Sequence, residues 1–214
     1  MKKFLLFLLG AVMVMGCIGL TACGGSSDEE NAAEEATTED ISEETAARTM
    51  FYGGFGYMGE DPVTGAVYEY MATVVSQEYE PGEDMASIPV VCIVDKVVNE
   101  DGTVDVLGNF QIYNYKIEGD TLETESGGTH PGKMHLVPDG DYYKVDSFEQ
   151  VADGSDFESS AKEIFGDQYD AFMKVYSDDT KMEELRAQAI KDYVQATGIE
   201  VTQYQDYGWD PVKL

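Results

Sequence analysis

Cysteine is scarce in this chain of 214 residues: there are three, Cys17, Cys23 and Cys92. Cys17 and Cys23 lie in or just after an apolar N-terminal run, so Cys92 stands alone in the remainder. No disulfide can form within that remainder, and an ordinary hydrophobic core must hold it together. Basic residues are also few, 13 Lys and Arg against 42 Asp and Glu, for a formal net charge of -29. Such a surface repels phosphate backbones and lacks a polybasic membrane patch, which excludes nucleic acid as a partner. No glycine loop of the P-loop or dinucleotide type is present, and no serine sits in a G-x-S-x-G setting, so nucleotide cofactors and the hydrolase elbow have no sequence support. No cofactor is expected. Histidine occurs twice and tryptophan once.

The N-terminus carries the most specific pattern. Lys2 and Lys3 precede an uncharged run over residues 4–20, the layout of a secretory signal peptide. The run ends in Leu20, Thr21, Ala22, Cys23 and Gly24, which resembles the lipobox of bacterial lipoproteins. The resemblance implies acylation of Cys23 after removal of residues 1–22 and attachment to the extracytoplasmic face of the cell membrane. Cys17 is the competing site, but Val14 and Met15 fit the motif less well. The uncharged run is near the roughly 20 residues that span a bilayer, but Gly10, Gly16 and Gly19 weaken it as a membrane helix. Residues 24–47 contain no basic or aromatic residue and only Ile41 as a large aliphatic, too little apolar surface to offset the entropy of ordering. They are expected to form an acidic tether spanning roughly 25–30 Å as a flexible coil. Residues 48–214 then have the size of one domain.

Within that domain, Asp61 and Pro62 make an N-cap and first helical residue ahead of Val63, Val67, Tyr70, Met71, Val74 and Val75, one face of an amphipathic helix stopped by Pro81 and Gly82. Residues 88–98 are β-branched and nearly all apolar, which predicts a buried strand. A turn at residues 99–102 leads to a second strand over residues 103–117. Val104, Val106, Phe110 and Ile112 share one of its faces, and Leu107, Asn109, Gln111, Tyr113, Tyr115 and Ile117 share the other. Gly108 is expected to mark a bulge or bend. A polar strand near residues 122–126, a loop over 127–132 and a hairpin of 133–137 with 141–148 complete an antiparallel sheet of four to five strands. Ser155 with Glu158, and Thr180 with Glu183, read as caps within a set of about three C-terminal helices, the last closed by Gly198. Residues 199–204 are a possible last strand.

The fold class is therefore α+β. A helix followed by long antiparallel hairpins over residues 61–148 resembles the cystatin-like and NTF2-like folds, in which a curved sheet wraps a helix. The resemblance rests on element order alone, and the three C-terminal helices depart from it.

Chemistry-bearing residues are few. Aligned with an EF-hand loop, the glycines Gly102 and Gly140 place Val97 and His135 at the first ligand position, where an acid is required, so both sites read as hairpin turns and no metal site is expected. His130 and His135, five apart on an extended chain, face opposite sides unless Pro131 and Gly132 turn it. Cys92 lies in an apolar strand and reads as a small core residue. The face bearing Gln111, Tyr113 and Tyr115 mixes rings with amides, a composition suited to recognition, with Tyr142 and Trp209 as further binding candidates. The competing reading places these tyrosines under Phe157, Ile164 and Phe172 as core. The expectation is a monomeric, non-catalytic binding module for an envelope protein, glycan or small ligand. The alternative is a hydrolase or isomerase using His130 or His135 as base.

Overall fold

The computed structural model describes residues 51–52, 55–82 and 85–214. The leader, Cys23 and the acidic tether lie outside the described residues. The domain is α+β, with an open sheet of six strands and helices on both of its faces. A short hairpin of β1 (Phe51–Tyr52) and β2 (Phe55–Gly56) precedes helix α1 (Pro62–Thr73). The sheet proper comprises β3 (Met85–Val98), β4 (Val104–Glu118), β5 (Thr121–Asp139), β6 (Tyr142–Gln150), β7 (Gln203–Gln205) and β8 (Val212–Lys213). Helices α2 (Phe157–Phe165), α3 (Tyr169–Tyr176) and α4 (Asp179–Thr197) stand between β6 and β7.

Helix α1 begins as its residues dictate: the Asp61 carboxylate accepts from the Val63 N–H at 3.2 Å, and Pro62 takes the first position, where no intrahelical donor is needed. It ends earlier than its apolar pattern suggests, passing at Val74 into a 3-10 turn over Val75–Tyr79, so Val74 is exposed while Val75 is buried. Two caps differ from the sequence expectation. Helix α2 starts after a 3-10 turn that absorbs Ser155, and α4 is capped by Asp178, whose carboxylate accepts from the Lys181 N–H at 3.0 Å, rather than by Thr180. Gly198 closes α4 in the left-handed conformation that favours glycine.

Strands β3 to β6 form successive antiparallel hairpins. The predicted break over residues 127–132 is absent: β5 runs unbroken for 19 residues, because β4 pairs with it from Thr121 to Leu136, across the whole of that stretch. The sheet is not wholly antiparallel either. Strand β7 pairs in parallel with the start of β5, Leu122 opposite Tyr204, since the chain between β6 and β7 carries three helices and is long enough for a crossover. Gly108 pairs regularly with β5, and a bulge does fall beside it but on the facing strand, where β3 carries an extra residue between Ile93, the partner of Gly108, and Asp95. The absence of a side chain is what matters at Gly108. It faces Gly132 across the ladder, and a Cβ at either glycine would overlap the Phe110 or Phe148 rings, which pack edge-to-face 5.7 Å apart.

The alternation read along β4 is observed. Val106, Phe110 and Ile112 pack with Met134 and Leu136 against Val67 and Met71 of α1. On the opposite face, Ile88, Val90, Cys92, Tyr115 and Leu122 meet Ala189, Ile190 and Tyr193 of α4. Leu107 extends that face under α2 and α3, where Phe165 and Phe172 stack 4.0 Å apart. Strand β3 is thus covered on both sides, which accounts for its nearly continuous apolar run.

Candidate functional site

Helix α4 carries one charged residue on its buried stripe, Arg186, and the tyrosine face of β4 is built around it. Arg186 is 7% exposed. Its Nε donates to the Tyr115 hydroxyl at 2.7 Å, and its terminal nitrogens donate to the two Asp206 carboxylate oxygens at 2.8 and 2.6 Å and to Thr124 Oγ1 at 2.9 Å. Its Cζ lies 3.9 Å from the Tyr113 ring centre and 4.7 Å from that of Tyr204. Burial alone would lower the Arg186 pKa, but the Asp206 carboxylate and the tyrosines outweigh it and hold the group charged. The Asp206 carboxyl is held below its usual range, chiefly by the hydrogen bond from Arg186. A planar, bidentate cation among rings is a role lysine does not fill.

This arrangement corrects the expected recognition surface on β4. Tyr115 is fully buried, its hydroxyl committed to Arg186, and Gln111 is buried with its amide bonded to Thr129 Oγ1 and to the Tyr113 hydroxyl. Tyr113 is half-buried beneath the guanidinium. The covering comes from Arg186 and Met182 of α4 rather than from Phe157, Ile164 and Phe172, which pack over Leu107 or beside it. The two remaining candidates are exposed, Tyr142 at 44% and Trp209 at 75%. They do not share a site. Trp209 follows β7, which pairs with β5 at Glu123, whereas Tyr142 pairs with Asp139 at the other end of β5. At roughly 3.3 Å per residue those points are of order 50 Å apart along the strand.

Beyond Asp206 the chain makes a tight turn before β8. The Trp209 N–H donates to the Asp206 carbonyl at 3.1 Å, the Gln205 amide donates to the Trp209 carbonyl at 2.7 Å, and Gly208 takes the positive φ of 80° that the turn requires. Both ends are fixed: Asp206 by Arg186 and Thr124, and the last residue by the Leu214 N–H bonded to the Thr202 carbonyl at 3.0 Å. The turn holds out two rings, Trp209 and Tyr207, the latter 97% exposed. The sequence offers Trp209 and not Tyr207 as a binding candidate, although the aromatic-glycine-aromatic setting of Tyr207 is a usable signal.

The two histidines lie on opposite faces of β5. His130 is buried, with Nδ1 2.8 Å from Gln150 Oε1 and Nε2 2.9 Å from the Tyr79 hydroxyl. With its proton directed to the Gln150 oxygen, the ring accepts from Tyr79 and both nitrogens are satisfied. His135 Nδ1 is 2.7 Å from Asp105 Oδ1, on the face where Ser147 lies opposite His135 in the next strand. The Asn99 amide donates to the other Asp105 oxygen at 3.2 Å. Burial opposes ionisation of Asp105, but the bonds from His135 and Asn99 prevail and lower its pKa. Neither histidine lines the cleft between α1 and β6, about 160 Å³, which is bordered by Ala66, Glu69, Tyr70, Thr73, Val74, Lys144 and Val145. Among the described residues no group of three or more His, Cys, Asp or Glu side chains is placed to hold a metal ion, and no helix is long and apolar enough to cross a membrane.

No family model, no curated protein and no solved structure matches the chain.

Proposed function

We propose that the protein is a lipid-anchored extracytoplasmic binding module, tethered to the cell membrane through Cys23 and residues 24–47, with the turn bearing Tyr207 and Trp209 as its recognition element. The observation that carries the reading is the exposure of two rings on a turn whose base is pinned where Asp206 pairs with the buried Arg186. Exposed aromatics held rigidly give a large contact area with little ordering entropy to overcome on binding. The leader and lipobox-like residues support the location, and the net charge of -29 supports a partner other than nucleic acid. The module acts as a monomer on an envelope protein, glycan or small ligand. Its sheet, with α1 against one face, is a variant of the cystatin-like and NTF2-like arrangement in which three added helices fill the other face.

Two measurements test this. Mass spectrometry of the native N-terminus should find acylated Cys23, and Cys23→Ala should leave unlipidated protein; an unmodified Cys23 in membrane-extracted protein would end the anchor reading. Membrane-extracted protein incubated with envelope fractions should capture material that Trp209→Ala does not. Capture unaffected by that change refutes the turn as the recognition element.

The second reading is a hydrolase or isomerase with His135 as base, favoured by the Asp105 carboxylate at its Nδ1. His130, saturated by Tyr79 and Gln150, is poorly suited to that role.

A further inference from the structure

The chemistry around the turn narrows what it takes. We infer that the turn is a carbohydrate platform for neutral oligosaccharides, with Trp209 stacking on the apolar face of a pyranose ring and Tyr207 extending the contact. The inference rests on the proposed role of this turn in recognition and adds the class of ligand.

Area favours a small ligand over a protein. Two aromatic side chains bury roughly 300–500 Å² together, whereas a standard interface needs roughly 800 Å² from each partner. Pro211 and Val212, the exposed apolar residues that follow on the hairpin, are small and do not close that gap. A sugar ring needs no more than one or two such faces. Its axial C–H bonds present a weakly positive surface to the negative face of the indole, and its hydroxyls need polar neighbours. Asp210, exposed beside Trp209, supplies carboxylate acceptors. The Asp206 oxygens are committed to Arg186 and Thr124 and hold the platform instead.

Charge decides the kind of sugar. With 42 acidic against 13 basic residues, uronic-acid and phosphate-bearing polymers are repelled. The same charge argues against lipid headgroups. A Trp and Tyr pair that enters a membrane interface is helped by Lys or Arg beside it, and here Asp206 and Asp210 flank the rings.

The tryptophan is the only one in the chain, so its emission reports on this turn alone. Membrane-extracted full-length protein would be titrated to roughly 10 mM, the range expected of so small a contact, with cellotetraose, N-acetylchitotetraose and mannotetraose. The expected result is a saturable blue shift with at least one of them. Tyr207→Ala, which keeps the reporter, should weaken that binding severalfold, and Trp209→Ala, followed by calorimetry, by roughly tenfold. The melting temperature should stay unchanged in both variants. No saturable change with any of the three overturns the inference. So does a blue shift produced by phosphatidylglycerol–phosphatidylethanolamine vesicles alone, which would make the turn a membrane contact. Captured envelope polypeptide that still binds after enzymatic deglycosylation also overturns it, while leaving the binding reading standing. Failure to capture anything from envelope fractions defeats both.

Discussion

Replacing Arg186 with Met keeps most of the aliphatic volume on α4 and removes the guanidinium, so it isolates the polar knot from the packing. Three losses follow. The Tyr115 hydroxyl, fully buried, keeps no partner, which costs about 1–3 kcal/mol. The paired bonds to Asp206 disappear, but that side chain is 40% exposed and recovers water, so its share is smaller, about 1 kcal/mol. The face-on contact with Tyr113 contributes a further increment of about 0.5–1 kcal/mol. Together these give about 2.5–5 kcal/mol, equivalent to about 5–20 °C in melting temperature for a domain of this size. Asp206→Ala should be at least as damaging, about 3–5 kcal/mol, because it strands a nearly buried cation.

Urea unfolding followed by circular dichroism measures both variants and the double variant. If the knot acts as a unit, the double variant should be less destabilised than the sum of the singles by about 1–3 kcal/mol. Trp209 emission adds a local readout, since release of Asp206 should free the turn at denaturant concentrations where the sheet is still folded. The reasoning is refuted if Arg186→Met costs less than about 1 kcal/mol, or if the two single changes add.

Other consequences can be measured in the same protein. Because the folded Asp206 carboxyl lies below its unfolded value of 3.8, its stabilisation is complete above that pH and is lost as pH falls through the folded value; Asp206→Asn should flatten stability against pH in that acidic window, and an unchanged slope contradicts it. Gly132→Ala places a methyl group against the Glu149 carbonyl and the Phe148 ring and should destabilise by about 2 kcal/mol, whereas Gly140→Ala, at a turn with open space, should show only the strain of its positive φ, about 1 kcal/mol. A chain beginning near residue 48 should melt within about 1 °C of one beginning at residue 24, because the acidic stretch has little to bury; a loss of several degrees would show that it packs.

What was legible in the sequence was whatever depended on period and local chemistry. The two faces of β4, the Asp61–Pro62 helix start, the hairpin turns at Gly102 and Gly140 and the closure of α4 at Gly198 follow from patterns within a few residues. Partner length was not legible. Gly127, Gly128, Pro131 and Gly132 look like loop chemistry, yet β4 offers an unbroken run of partners that draws them into β5. The central feature of the candidate site was the least accessible. Arg186 sits among Glu183, Glu184, Gln188 and Lys191, as any solvated helix face would, and only the parallel return of β7 brings Asp206 against it. A pair 20 residues apart joined through a crossover leaves no periodic trace.

That crossover also explains why the recognition face expected on β4 and the one proposed at the C-terminal turn exclude each other. The same α4 that lays Arg186 over Tyr113 and Tyr115, burying Tyr115 and half-burying Tyr113, uses the terminal nitrogens of the guanidinium to hold Asp206 at the base of the turn. Covering one aromatic surface and presenting the other are a single packing event. It follows that changes at Trp209 and Tyr207 should alter binding and leave stability untouched, since both rings are exposed. Changes at Arg186 should alter both, and changes at Tyr115 should act on binding only through the geometry of Arg186. A Tyr115→Phe variant separates these effects. It removes the acceptor of the Nε–H bond while leaving the Asp206 fork intact, so it should cost about 1–2 kcal/mol of stability and leave ligand capture at Trp209 nearly unchanged. Capture lost in parallel with stability would mean that β4 itself, and not the C-terminal turn, touches the ligand.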